Sequence, residues 1–183
     1  MSQSQNRRLF RLGYLVVIAL LTVIMARAWP EQPAEVPARK DEVYEVSQVL
    51  DGDTIEIARD GKLERVRLIG VDTPETKDPR KPVQCFGKEA SKHTETALSG
   101  RRVRLEFDPV VGERDRYDRL LAYVWREDGL FVNLDLVTEG FAHEYTYQNQ
   151  LYKYRDDFQA AERAADGADK GLWAANTCNG VTT

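Results

Sequence analysis

The chain has 183 residues, enough for one domain with its own hydrophobic core and some additional sequence, and its formal net charge is −4. Residues 1–28 hold four arginines and no acidic residue, so the rest carries 22 basic against 30 acidic side chains, a net charge of −8. This composition excludes a body that attracts nucleic acid by its overall charge, and any such binding must come from local basic patches.

The N-terminal segment has the pattern of an export signal. Three arginines precede an apolar stretch from Leu12 to Ala26, and the small residues around Arg27 resemble a cleavage site. The apolar stretch is shorter than the roughly 20 residues that a membrane-spanning helix needs, which favours cleavage. We therefore interpret residues 1–28 as a signal peptide or N-terminal membrane anchor, and the proline-rich residues 29–42 as a linker. Either alternative places the body outside the cytoplasm, in the periplasm or the extracellular space.

The cysteine content agrees with export. Cys85 and Cys178 lie far apart in sequence, and in an oxidising compartment such a pair usually forms a disulfide, which could stabilise the fold by roughly 4–5 kcal/mol. The alternatives are two separate buried thiols or half of a metal site. Zinc is disfavoured, because His93 and His143 are the only histidines and no close Cys or His pair exists.

Apolar alternation predicts three sequential strands at the start of the body. An Asp-Gly turn separates the first strand from the second, and another separates the second from the third. The predicted strands are Val43–Leu50, Thr54–Ile57 and Arg65–Val71.

The pattern then changes to helical spacing and returns to strands. We predict helices over Phe86–Leu98, from an Asn133 cap to Glu139, and over Leu151–Ala165, and strands over residues 101–108 and Arg119–Trp125. Five short strands with three helices predict an α+β fold with a mainly β core, a closed barrel of the oligonucleotide-binding (OB) type. A β-sandwich or an open α+β sheet would give a similar pattern. The domain would span residues 43–176, followed by a tail over 177–183.

Acidic residues follow the predicted strands. Asp53 lies in "DGDT", and Asp72 and Glu75 lie in "DTPE". Oxygen ligands of this kind suit calcium or magnesium. Taken alone, each motif also fits an ordinary turn or the start of a helix.

Two arginines in apolar strands indicate a bound anion. Arg67 lies among valines and leucines, and Arg119 begins the fifth strand. An ion pair of Arg67 with Glu75 or Asp72 would explain its position. The alternative is a phosphate held beside a divalent cation. Strand alternation puts Asp72 on the opposite face from Arg67, so a shared site requires a bend near Gly70.

Six segments, in order from Val49 to Trp173, resemble the staphylococcal nuclease (thermonuclease) family: "VLDGDT", "VRLIGVDTPET", "FGKEAS", "DRYDRLLAYV", "VNLDLVTEGFA" and "GLW". Each segment is weak by itself, but six with compatible spacing are specific. The resemblance implies a calcium-dependent (Ca²⁺) nuclease on a five-stranded barrel. Such an enzyme cuts DNA and RNA and leaves 3′-phosphates.

The resemblance also implies roles for individual residues. The carboxylates of Asp53 and Asp72 and the carbonyl of Thr73 would bind calcium, Glu75 would be the general base, and Arg67 and Arg119 would hold the scissile phosphate. Four further positions, Arg116, Tyr117, Tyr145 and Tyr147, match residues that contact the terminal phosphate or the base. Asp118 replaces the family's usual glycine; we expect its turn to survive and its charge to weaken phosphate binding.

Local basic patches must overcome the acidic total. The better candidates for binding nucleic acid are the loop cations that follow Glu75, namely Lys77, Arg80 and Lys81. The strand residues Arg101, Arg102 and Arg104 fit a solvated strand face equally well. Stacking tyrosines would favour single strands. We expect a monomer that acts on DNA and RNA. The alternatives are a non-catalytic nucleic-acid-binding OB module, which the retained acids and arginines disfavour, and an envelope-tethered barrel that binds saccharide or peptide.

Overall fold

The computed structural model describes residues 42–79 and 82–182. The predicted export segment 1–28, linker residues 29–41 and the loop cations Arg80 and Lys81 lie outside the described residues. Within the described ranges, no helix combines the length and the apolar character that a bilayer crossing requires.

Of the seven strands in the part of the chain that the structure describes, five form a closed barrel, with neighbours in the order β1, β2, β3, β6, β5. Strands β3 and β6 pair in parallel, and the other barrel neighbours pair antiparallel. The remaining two, β4 and β7, form a separate antiparallel pair. The predicted OB-type barrel is confirmed, and the sandwich and open-sheet alternatives are wrong. The strands are β1 Val43–Asp51, β2 Thr54–Arg59, β3 Lys62–Leu68, β4 Val71–Asp72, β5 Arg102–Glu106, β6 Leu120–Arg126 and β7 His143–Glu144.

Within residues 42–79 and 82–182 there are three α-helices, as predicted for the domain: α1 Gly87–Leu98, α2 Val132–Thr138 and α3 Arg155–Gly167. Two short 3₁₀ segments occupy Tyr147–Asn149 and Gly171–Trp173. Helix α2 begins before Asn133, and α3 begins four residues after the predicted start at Leu151. Both differences arise from buried polar contacts.

Asn133 does not cap α2 but connects three parts of the core. Its fully buried side chain accepts a hydrogen bond from the Val124 amide at 2.8 Å and donates to the Ile69 carbonyl at 2.9 Å and to the Ala122 carbonyl at 3.3 Å. The side chain thereby satisfies backbone groups where β6 passes the end of β3, because buried polar groups without partners are costly.

Asp108 binds the backbone just before α3, and the helix begins later than the sequence predicts. Its carboxylate accepts hydrogen bonds from the Lys153 amide at 2.8 Å and from the buried Tyr123 hydroxyl at 2.7 Å. Burial opposes ionisation, but these bonds hold the pKa of Asp108 below its usual value. The segment before α3 is thus attached to the barrel, and the helix begins only at Arg155.

The core lies inside the barrel and under the helices. In β2 and β3, alternate side chains point inward, and Ile55, Ile57, Val66 and Leu68 are almost completely buried. Each such side chain contributes roughly 1.5–3 kcal/mol relative to exposure. The apolar residues whose alternation predicts these strands therefore form the core.

The predicted bend occurs at Gly70. Strand β3 ends at Leu68, and β4 leaves the barrel to pair with β7. Gly70 has a φ of +77°, and a Cβ at this position would lie 2.7 Å from the Phe158 ring. Glycine is required both for this conformation and for the close approach of α3.

Cys85 and Cys178 form a disulfide, so neither thiol is free. The bond connects the segment before α1 to the residues after Gly171–Trp173. The alternatives of separate thiols and of a metal site with cysteine ligands are thereby excluded.

Candidate active site

Arg67 lies at the centre of the site. Its guanidinium contacts the Asp53 carboxylate at 3.0 Å through Nη1 and the Asp72 carboxylate at 3.0 Å through Nη2. Nη1 also donates to the Val71 carbonyl at 2.8 Å, so the bend at Gly70 folds the chain back onto the arginine. The ion pair considered from the sequence is thus present with Asp72, and Asp53 is a second partner.

Asp53 brings the Thr73 backbone into the same site. This buried carboxylate accepts a hydrogen bond from the Thr54 hydroxyl at 2.9 Å and from the Thr73 amide at 3.2 Å. The Thr73 Oγ1 atom is buried and has no hydrogen-bond partner among the described residues. The three predicted metal ligands, Asp53, Asp72 and Thr73, therefore lie together.

The electrostatics of this cluster suit a cation. The Asp72 side chain is 56% exposed, but the protein around its carboxylate still removes part of the hydration that the charged form needs, which raises its pKa above the usual value. The charges of Asp53 and Glu75 add to the rise against the opposing effect of Arg67. Two carboxylates and a backbone carbonyl are hard oxygen donors of the kind that calcium prefers. Across residues 42–79 and 82–182, no group of three His, Cys, Asp or Glu side chains forms a metal cluster. A bound ion would therefore need further ligands from water or substrate.

The raised pKa makes Asp72 a destabilising residue at neutral pH. Its ionised form is disfavoured in the fold, so it lowers stability as the pH rises above the ordinary value of 3.8 through the raised folded pKa. In the presence of a chelator, we expect Asp72→Asn to melt at a higher temperature than the wild type at pH 7. The difference should vanish below about pH 3.8, where Asp72 is protonated in both states. Melting curves across this range measure it, and a lower melting temperature for the variant at pH 7 would contradict it.

Glu75 lies in the loop after β4 and is held by backbone groups. Its Oε1 accepts hydrogen bonds from the Lys77 amide at 2.6 Å and the Asp78 amide at 3.1 Å. Its own amide donates to Gln84 Oε1 at 2.7 Å. A second carboxylate, Asp51, lies nearby: burial opposes its ionisation, but bonds that include those from the Ser91 and Thr76 hydroxyls hold its pKa below the usual value.

Arg119 is oriented by Asp115. The Asp115 carboxylate contacts Arg119 Nε and Nη2, each at 2.7 Å, and also accepts the Tyr117 and Arg119 amides at 2.9 and 3.0 Å. Although burial opposes it, these bonds hold the pKa of Asp115 below its usual value. The Arg116 and Arg119 guanidinium groups lie over the Tyr117 ring, at 4.7 and 5.5 Å from its centroid. The loop therefore presents two cations and an aromatic ring together.

The turn at Asp118 survives, as predicted. Its φ is +63°, and its side chain is 87% exposed. Arg114 donates to the Asp118 carbonyl at 2.9 Å and makes a bidentate ion pair with Glu64 at 3.0 and 3.1 Å. This pair anchors the loop to β3.

The end of β3, the bend at Gly70 and the loop that carries Arg119 line an open pocket of about 500 Å³. The exposed rings of Tyr145 and Tyr147 form part of its lining, with centroids 6.4 Å apart. Of the predicted site residues that the structure describes, four do not line it: Asp53, Thr73, Glu75 and Lys77. Lys81 lies outside the described residues. The predicted site residues in the lining are Arg67, Asp72, Arg116, Tyr117, Arg119, Tyr145 and Tyr147.

The structure adds residues that sequence reasoning missed. Asp115 stands four positions before Arg119, and that spacing within a short turn was the only available signal. Glu64 and Arg114 pair across 50 positions, and Gln84 contacts Glu75 across a loop, and the sequence carries no readable signal for either contact.

Comparison with known proteins identifies similar chains. The family described as "Staphylococcal nuclease homologue" matches residues 65–175. The thermonuclease of Staphylococcus hyicus is 40% identical over 166 residues, which cover 88% of this chain and 96% of that protein. The thermonuclease of Staphylococcus intermedius is 47% identical over 134 residues, 73% of this chain and 77% of that protein. Endonuclease YncB of Bacillus subtilis is 39% identical over 149 residues, 79% of this chain and 69% of that protein.

Proposed function

Because this chain belongs to the staphylococcal nuclease family and is a nuclease, we propose that it is a calcium-dependent, sugar-nonspecific enzyme. It hydrolyses phosphodiester bonds in DNA and RNA, prefers single strands and leaves 3′-phosphates. The observation that carries this proposal is the convergence of Arg67, Arg119 and Asp72 on one open pocket, with Asp53 and Thr73 adjoining it.

The two arginines hold the scissile phosphate. Both line the pocket, Arg67 from β3 and Arg119 from the loop that Asp115 orders, just before the neighbouring strand β6. Guanidinium groups match phosphate oxygens in bidentate fashion. Their contribution to catalysis grows as negative charge builds on the phosphorus, because they then bind the transition state more strongly than the substrate.

Glu75 takes the proton from the attacking water. The amides of Lys77 and Asp78 fix its Oε1 beside the acidic cluster. A positioned carboxylate of this kind contributes roughly 10²–10⁴ in rate. Glu75 does not line the open pocket, so in this proposal its carboxylate reaches the attacking water only when substrate is bound, as hydrogen bonds at catalytic sites often tighten at that point.

Asp53 and Asp72, with the Thr73 carbonyl, would hold the calcium ion, which would polarise the phosphate and orient the water. Arg67 provides the countercharge for both carboxylates in the absence of ligands. If Arg67 turns to the phosphate, the two carboxylates would lose that countercharge, and a bound divalent cation would restore it. The metal and the nucleotide should therefore favour each other's binding.

The tyrosines account for the preference for single strands. Tyr117, Tyr145 and Tyr147 are all more than 40% exposed at the pocket. Each ring presents a face on which an unpaired base can stack, and such stacking contributes roughly 1–3 kcal/mol per base. Bases in an intact duplex are already stacked on each other, so frayed or denatured strands should be cut first.

Removal of calcium is expected to abolish cleavage. The purified body is incubated with denatured DNA and with RNA, in calcium, in magnesium or in a calcium chelator, and the products are resolved by gel electrophoresis. We expect cutting of both polymers in calcium and none with chelator, because the carboxylate pair then lacks its ion. Phosphatase treatment before polymerase extension tests for 3′-phosphates. Undiminished cleavage in chelator contradicts the proposal, and binding without cleavage supports the non-catalytic module instead.

We also propose that the nuclease domain works outside the cytoplasm as a monomer, released by cleavage after residue 28 or held by an uncleaved N-terminal anchor. The Cys85–Cys178 disulfide supports an oxidising compartment. Cell fractionation followed by N-terminal sequencing distinguishes the two alternatives, and recovery of the protein only from the cytoplasm would contradict both.

A further inference from the structure

We infer that Gln84, anchored by the Cys85–Cys178 disulfide, is a positioning residue for Glu75. Turnover of the nuclease would then depend on the oxidised disulfide. This inference rests on the proposed role of Glu75 as general base, and it assigns a function to two elements that the catalytic proposal does not use.

Gln84 binds Glu75 through two backbone-directed hydrogen bonds. The Glu75 amide donates to Gln84 Oε1 at 2.7 Å, and the Gln84 amide donates to the Glu75 carbonyl at 2.9 Å. Together they fix the backbone of Glu75 on both sides of its Cα atom. The direction of the Glu75 side chain therefore depends on the position of residue 84.

The disulfide fixes the residue that follows Gln84. Cys85 is joined to Cys178, and its amide donates to the Thr182 carbonyl at 3.3 Å. The segment containing Cys178 is itself attached to the core, since the Gly180 amide donates to the carbonyl of the buried Leu172 at 3.0 Å. The C-terminal segment thus restrains Cys85, and through it the neighbouring Gln84.

Helix α1 does not provide this support through a side-chain cap. Its N-cap residue, Phe86, has a φ of +66° and makes no capping hydrogen bond. Gly87 packs so closely on the catalytic segment that an added Cβ would lie 2.9 Å from the Pro74 carbonyl oxygen. A small displacement of the helix start would therefore move the backbone around Glu75, and the disulfide restrains that start.

The expected signature of a positioning role is a loss in kcat alone. The arginines that hold the phosphate have their own partners, Asp53 and Asp72 for Arg67 and Asp115 for Arg119, and none of these contacts passes through Gln84. Loss of the support should misplace Glu75 without changing phosphate binding. Misplacement of a catalytic group by about 1 Å can lower the rate by up to about 10²-fold.

The test uses Gln84→Met, which keeps the length of the side chain and removes its acceptor oxygen. Gln48→Met, at an exposed position in β1, is the matched control. Steady-state cleavage of a short single-stranded oligonucleotide is measured in calcium well below the melting temperature of each variant. We expect kcat to fall about tenfold for Gln84→Met, with KM unchanged within about twofold, and the control to match the wild type.

A double-mutant cycle separates a positioning role from a structural one. In a Glu75→Gln background, Gln84→Met should lower kcat no further, because the residue through which it acts is already disabled. The Cys85→Ser/Cys178→Ser variant should lower kcat about tenfold, and adding Gln84→Met should lower it by less than a second factor of ten. If the cysteine variant does not fold, Gln84→Met still decides whether Gln84 positions Glu75, because it retains the disulfide.

Two results would overturn the inference while leaving the catalytic proposal intact: a wild-type kcat for Gln84→Met, or a further tenfold loss in the Glu75→Gln background. Undiminished turnover of Glu75→Gln itself is a different outcome. It would remove the general-base assignment and, with it, this inference.

Discussion

Replacement of Glu75 by glutamine is expected to lower kcat by about 10²–10⁴-fold while leaving nucleotide binding nearly unchanged. The amide keeps the size of the side chain and can still accept the Lys77 and Asp78 amides, but it cannot take a proton from water. Phosphate binding depends on Arg67 and Arg119, which the substitution does not touch. Single-turnover cleavage measures the rate, and titration with a non-cleavable dinucleotide measures binding.

The control is Glu89→Gln, which makes the same chemical change at an exposed position in the first turn of α1. It should cleave at the wild-type rate. Near-normal turnover of Glu75→Gln would remove Glu75 from the reaction. A large loss of nucleotide affinity would instead assign the residue to substrate or metal binding.

Asn133→Ala should be strongly destabilising, with an expected loss of about 3 kcal/mol in the free energy of unfolding. The substitution leaves the Val124 amide and the Ile69 carbonyl without their side-chain partner in a fully buried setting. It also leaves a small cavity beside β6. Denaturant unfolding followed by tryptophan fluorescence measures the change.

Asn176→Ala, in an exposed C-terminal position, serves as the control and should change the stability by less than about 0.5 kcal/mol. An Asn133→Ala protein as stable as the wild type would mean that water replaces the lost bonds. Because Asn133 holds the carbonyl next to the bend at Gly70, we also expect the folded variant to cleave more slowly than the wild type.

Much of the fold could be predicted because the barrel strands carry a simple signal. The alternation in β2 and β3 matches the burial of Ile55, Ile57 and Val66, and the turn residues between strands mark their ends. The starts of α2 and α3 could not be predicted, since they depend on Asn133 and Asp108. Each of these side chains binds the backbone of a segment distant in sequence, and local propensity contains no information about such partners.

The candidate site was predictable to a similar degree. Short motifs and the family resemblance predict Arg67, Asp72 and Arg119 as site residues, and the structure places all three at one pocket. The supporting residues were missed. Gln84 pairs with Glu75 across a loop, and Glu64 pairs with Arg114 across 50 positions, so only the folded chain reveals them.

The Glu64 to Arg114 ion pair has a consequence for protein engineering. Arg116, Tyr117 and Arg119 belong to one short hairpin, residues 113–120, and Arg114 of that hairpin is paired with a carboxylate from another strand. A chimaera that receives residues 113–120 from a relative, without the matching acid on its own β3, would acquire these side chains without the ion pair that connects their hairpin to the barrel. Grafting experiments should therefore transfer Glu64 and the hairpin as a single unit.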